Sequence, residues 1–268
     1  MPFEGPSSSG RLIPRNRDRR FLIFLCILLL SSVGASAQCS GCCATGDTCS
    51  DPDHFACVQC NCHLISPIIV DTRGDGFHLT SALDGVVFDM AGDGNSFQMA
   101  WTAAGSGTAL LALDRNHNGT IDNGKELFGN FTAQPSSPHP NGFLALAEFD
   151  KPENGGNGDG IIDDRDDVFS HLLLWIDENH DGISQPNELH TLPELGVYSI
   201  ALRYRDDRSA FDQFGNWFHY VSVLNPDRKD GESKDGRLVF DVDFVITRNP
   251  IHGNQSSRKT VSPTLPPG

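Results

Sequence analysis

One short pattern recurs five times in the middle of this 268-residue chain: oxygen-bearing side chains at alternate positions, closed by glycine. It reads Asp71-Thr-Arg-Gly-Asp-Gly76 (loop I), Asp89-Met-Ala-Gly-Asp-Gly94 (loop II), Asp114-Arg-Asn-His-Asn-Gly119 (loop III), Gly155-Gly-Asn-Gly-Asp-Gly160 (loop IV) and Asp177-Glu-Asn-His-Asp-Gly182 (loop V). The chemistry that such spacing serves is the binding of a hard cation. Calcium takes six to eight oxygens, and positions 1, 3 and 5 of a tight loop aim their side chains at one centre. Glycine at position 6 permits the reversal that brings the carbonyl of position 7 to the same ion, and a carboxylate at position 12 completes the shell.

Loop V fills this scheme most completely, with Asp177, Asn179 and Asp181 at positions 1, 3 and 5, the carbonyl of Ile183 at 7 and Glu188 at 12. Ser184 stands at position 8, where an apolar residue is usual. Loop III offers Asp114, Asn116, Asn118, the carbonyl of Thr120 and Asp122 at position 9, and its exit acid Glu126 comes one residue late. Loop IV has Asn157, Asp159, the carbonyl of Ile161, Asp163 and Asp166, but glycine at position 1. Asp150 is the candidate to reach in across Lys151–Asn154. Loops I and II hold two acids each and none at position 12. They either share one ion, through Asp71, Asp75, Asp89 and Asp93, or are plain turns, which Asp-Gly pairs commonly form.

The elements that must position these loops are short. Strand-like runs fall at 67–71, 86–89, 97–101, 171–176, 197–204, 217–224 and 237–246, and apolar residues at three- and four-residue spacing predict helices at 124–131, 143–149 and 187–195. Alternation in the last two strands sets Trp217, His219, Val221 and Val223 on one face, and Leu238, Phe240, Val242 and Phe244 likewise, with Asn225–Gly236 as the hairpin loop between them. The expected class is α+β, mostly antiparallel strands with a few short helices.

The runs Pro67-Ile-Ile-Val-Asp-Thr-Arg-Gly-Asp-Gly-Phe, Leu111-Ala-Leu-Asp-Arg-Asn-His-Asn-Gly-Thr-Ile-Asp-Asn-Gly-Lys-Glu-Leu-Phe-Gly129 and Leu174-Trp-Ile-Asp-Glu-Asn-His-Asp-Gly-Ile-Ser-Gln-Pro-Asn-Glu-Leu189 resemble the EF-hand-like calcium-binding domain of secreted bacterial proteins, found also in RTX-type exoproteins. The resemblance covers roughly Ser66 to Tyr204 and implies EF-hand-like calcium loops in the domain. It also implies a comparison with RTX relatives that cleave themselves at an Asp-Pro bond just before the first acidic loop. Here that bond is Ser66-Pro67, so the attacking carboxylate is missing.

The remaining features bound the setting. Five arginines in the first 37 residues precede ten unbroken apolar residues, Phe21–Leu30, and the small-residue stretch ending Ala35-Ser-Ala37. This reads as a cleaved export signal over 1–37, too short in its apolar part to span a bilayer, so no membrane span is expected after cleavage. Seven of the eight cysteines fall between Cys39 and Cys62, a small Cys-rich segment over 38–63. In an oxidising compartment they form disulfides; Cys39-x2-Cys42 and Cys57-x2-Cys60 with His63 keep a zinc ribbon as the competing reading. A calcium-binding domain over 64–248 and a disordered tail over 249–268 follow.

The formal net charge is −15. That argues against nucleic acid, whose affinity comes from Lys and Arg releasing counterions. The sequence has neither His-Glu-x-x-His nor Gly-x-Ser-x-Gly, and its ten histidines form no helical pair beside an acid. The expectation is a secreted or extracytoplasmic, non-catalytic protein that uses calcium structurally and meets an extracellular or cell-surface partner. A calcium-dependent extracellular hydrolase is the alternative.

Overall fold

The protein is described by a computed structural model over residues 55–58, 61–226 and 237–251, with side chains placed from Ile65 to Pro226 and from Arg237 to Thr247. The expected export signal lies outside the described residues, as do most of the cysteines and residues 252–268. Of the Cys-rich segment the backbone shows one hairpin, β1 (Phe55–Val58) paired antiparallel with β2 (Asn61–Leu64), which sets Cys57 opposite Cys62.

The centre is a seven-stranded antiparallel sheet. Its strands are β3 (Ile68–Asp71), β6 (Thr108–Leu113), β8 (Leu172–Trp175), β9 (Leu189–Thr191), β11 (Arg205–Asp206), β12 (Trp217–Val223) and β13 (Leu238–Asp243), in the order β11-β12-β13-β3-β6-β8-β9. The inner strands are almost wholly apolar because both faces of the sheet are covered. Successive residues go to opposite cores: Ile68, Val70, Ala109, Leu111, Leu172 and Leu174 enter one, and Ile69, Leu110, Ala112 and Trp175 the other. Register builds each core row by row, with Ile69 opposite Leu110 and Leu110 opposite Trp175.

A second sheet closes the core of Ile69. It contains β4 (Val86–Phe88), β5 (Ser96–Met99) and β14 (Ile246–Ile251), with β5 in the middle. Phe88, Trp101, Trp175 and Phe244 meet there at ring-centroid distances of 5.0 to 6.0 Å. The opposite core is covered by α1 (Gly142–Ala147), which inserts Phe143 and Leu146, and by the small pair β7 (Ile161–Ile162) with β10 (Ile200–Ala201). Asn141 caps α1, its side chain accepting the Leu144 N–H at 3.0 Å.

The expected α+β class with EF-hand-like loops is corrected here. Among the described residues the molecule is mostly antiparallel sheet with one six-residue α-helix, and the other helical pieces are 3-10 turns at Pro152–Asn154, Asp167–His171 and Pro193–Leu195. The helix expected at 124–131 is absent because its backbone pairs with strands instead. Leu113 N–H donates to Glu126 O at 2.7 Å, Phe128 N–H to Leu111 O at 3.2 Å and Ile68 N–H to Phe128 O at 2.6 Å. A side chain at Gly129 would also collide with the carbonyl of Ser66. The helix expected at 187–195 is replaced by β9, with Leu189 opposite Trp175, and by the turn that Pro193 begins.

Three further expectations changed, the first being that the strand expected at 197–204 shrinks to β10. The alternation foreseen in 217–224 is broken by a bulge between Phe218 and Tyr220, which buries both His219 and Tyr220. Strand β6 was not among the expected strands.

Candidate functional site

Four of the five acidic loops leave the ends of strands. β3 ends on Asp71, β4 and β6 end one residue before Asp89 and Asp114, and β8 ends two before Asp177. In each, the first carboxylate turns back over its own loop. Asp89 accepts N–H groups from Asp93 (3.2 Å) and Gly94 (2.8 Å), Asp114 from Asn118 (3.2 Å) and Gly119 (2.8 Å), and Asp177 from Asp181 (3.1 Å) and Gly182 (2.9 Å). Loop IV has the same arrangement with Asp150 in that role, accepting from Gly158 and Gly160 at 3.0 Å each. The backbone is left-handed at positions 4 and 6 of all five loops. Position 4 is glycine in loops I, II and IV and histidine in loops III and V, where His117 and His180 both have φ of 59°.

What separates the loops is the meeting of positions 3, 5 and 9. In loop III the amides of Asn116 and Asn118 both reach Asp122 Oδ2, at 2.8 and 2.7 Å, and Thr120 Oγ reaches Asp122 Oδ1 at 3.0 Å. In loop V Asn179 and Gln185 both donate to Asp181 Oδ2, at 3.0 and 2.9 Å. In loop IV Asn157 donates to Asp159 at 3.1 Å, and Asp163 joins them through Arg165. Loops I and II do not gather in this way: Arg73 at position 3 turns to Gly105 O at 2.8 Å, and Ala91 at position 3 is buried in the core. Gln185 and Arg165 are members of these clusters that the sequence reading missed, although counting to positions 9 and 11 would have found them.

The exit acids are buried and tied to backbone. Glu126 accepts N–H groups from Arg115, Asn116 and Asp122 at 3.1, 3.3 and 2.8 Å. Asp166 accepts from Asn157 and Asp163 at 3.1 and 2.9 Å. Glu188 accepts from Glu178, Gln185 and the Trp175 indole at 3.0, 3.2 and 3.3 Å. The position-7 residues Thr120, Ile161 and Ile183 donate their amides to the position-5 side chains at 2.9, 3.0 and 2.8 Å.

Charge is unevenly held. Burial, then the charge of Glu188, pushes the Asp177 carboxyl up, against hydrogen bonds from Gly182, Asp181 and the Trp101 indole. Burial also raises Asp166. Hydrogen bonds from Asn116 and Asn118 hold Asp122 below its ordinary range, and Arg165 does the same for Asp163. Among the described residues no three carboxylate, imidazole or thiol groups gather as a metal cluster.

The loops are also joined to one another. Gly124 N–H donates to Asp89 O at 2.9 Å and Lys125 Nζ to Gly92 O at 2.5 Å, linking loops II and III. Ile121 N–H donates to Ser184 Oγ at 2.6 Å, linking the two position-8 residues of loops III and V. The His180 ring lies between Thr102 O (2.8 Å) and Asp84 O (2.7 Å), fastening loop V to the chain around β4 and β5.

The family that this chain matches is the SPM domain. Residues 68–244 match that family and the chain belongs to it. The Iron-regulated protein FrpA of Neisseria meningitidis serogroup C is 44% identical over 147 residues, which take in 54% of this chain and 13% of that protein. The family shown is thus the SPM domain. No described helix is long and apolar enough to cross a membrane.

Proposed function

We propose that the chain is a secreted, non-catalytic SPM protein, of the kind found in RTX-type exoproteins, whose acidic loops bind calcium as part of its structure. The observation that carries this reading is the meeting of positions 3, 5 and 9 in loops III and V. Asn116, Asn118 and Asp122 lie within hydrogen-bond reach of one another in loop III, Asn179 and Gln185 both reach Asp181 in loop V, and no ion pair between Asp122 or Asp181 and a lysine, arginine or histidine is found among the described residues. Their donor set is oxygen-rich and suits a hard cation: an amide turned about its own axis presents oxygen in place of nitrogen. Asp114, Asp122 and Glu126 would hold the ion in loop III, and Asp177, Asp181 and Glu188 in loop V. Bound calcium would supply the positive charge that draws these acids together. Export is supported by the apolar run at Phe21–Leu30 and the small residues after it. An extracellular or cell-surface partner fits the same setting.

Thermal unfolding in chelator, in magnesium and in calcium tests this. A ligand that binds only the folded form adds about 2.7 kcal/mol per site at a hundredfold excess. Millimolar calcium should therefore raise the melting temperature by several degrees and magnesium by much less. Identical melting in all three conditions would refute the proposal.

A further inference from the structure

Loops III, IV and V can be compared position by position. At position 11 loop III has Gly124, loop V has Asn187 and loop IV has Arg165. The Arg165 Nη2 lies 2.6 Å from Asp159 Oδ2 and 2.5 Å from Asp163 Oδ2, and its Nε lies 3.0 and 3.1 Å from the two oxygens of Asp163. Those carboxylates are at positions 5 and 9, the groups that a cation in loop IV would need. The Arg165 backbone N–H also donates to Asp163 Oδ1 at 3.0 Å, so the turn folds the side chain back over its own loop. Such a forked contact to one carboxylate with a second on the same nitrogen is stronger and more directional than a single surface pair.

We infer that Arg165 is the resident counter-ion of loop IV, standing where a divalent ion would stand, so that this loop is neutralised from within while loops III and V draw on an ion from solution. The inference rests on the calcium reading of loops III and V. The Arg165 side chain is 55% exposed, so it can swing out, but a divalent ion has to displace it. Apparent affinity at loop IV falls by the fraction of time the loop is open. The missing acid at position 1 does not explain this difference, because Asp150 fills that role.

Arg165→Gln tests the inference, since it removes the charge and keeps a polar side chain. Two measurements are needed on the full chain: calcium stoichiometry by equilibrium dialysis, and amide exchange at Gly158, Gly160 and Ile161 in chelator. The expected stoichiometry is two ions for the wild type and three for the variant. In chelator the variant should lose about tenfold in exchange protection at those amides, since local opening sets their exchange. Three ions in the wild type, two in the variant, or unchanged protection would each overturn the inference. If neither protein binds calcium, the calcium reading fails by itself, and the exchange measurement then decides the role of Arg165: lost protection supports it and retained protection overturns it.

Discussion

Asp241 offers the sharpest test of how this sheet is held together. It lies on β13, wholly buried, with one carboxyl oxygen accepting the N–H of Gly142 at the start of α1. Burial and then the charge of Asp243 push its pKa up to about 7, against the pull of Gly142 N–H, the Ser66 hydroxyl and His219. Tyr220 on β12 is paired directly opposite Asp241, and the Tyr204 ring lies 5.3 Å from that of Tyr220. An unfolded aspartate titrates near 4, so between about pH 4 and pH 7 the folded state binds the extra proton. Stability from this group is therefore fully present below about pH 4, is lost as pH rises toward 7, and stays lost above it.

Asp241→Asn removes the titration and keeps an oxygen for Gly142. A shift from 3.8 to about 7 is close to three units, which at 1.36 kcal/mol each is about 4 kcal/mol. The variant should match the wild type near pH 4 and exceed it by up to about 4 kcal/mol at pH 8, read from urea unfolding in chelator across that range. A stability gap that does not change with pH, or a variant weaker than the wild type at pH 8, would refute the reasoning.

Two further outcomes follow from the loops. Glu188→Gln should lower stability by about 1–3 kcal/mol even in chelator, because the new amide nitrogen cannot accept the N–H groups now bonded to the carboxylate, whereas Asp89→Asn should do less at its exposed loop; paired melting curves in chelator and calcium decide this ranking. His117→Gly should stabilise the protein by about 0.5–1 kcal/mol, since an exposed histidine at φ 59° is strained where glycine is not; an unchanged or lower urea midpoint would contradict that.

Much of the sheet was legible in the sequence. Runs such as Ile68–Val70 and Leu172–Trp175 announce buried strands by composition, and Trp217–Val223 with Leu238–Asp243 pair as the hairpin that Asn225–Gly236 implied. The misses share one cause, which is that tertiary pairing overrode local spacing. Leu127 and Phe128 have apolar neighbours at helical intervals, yet Leu111 and Leu113 were waiting to bond that segment as an extended edge. Strand β6, Thr108–Leu113, is mostly alanine and leucine, which favour helix at least as much as strand, so its composition does not announce a strand. The loops were legible as five copies of a turn, because glycine and aspartate spacing encodes the left-handed positions directly. Which side chains meet was not, because Arg165, read along the chain, is only one cation beside many acids.

The placement of β3 beside β13 has a consequence for the path of the chain. Ile68, where the matched family region begins, is directly opposite Asp241, three residues before that region ends. Entry and exit are therefore neighbouring antiparallel strands, about 5 Å apart. A polypeptide that departs into the matched region returns to nearly the same point, and β14, which follows on to pair with β5, then carries the chain away from it to complete the second sheet.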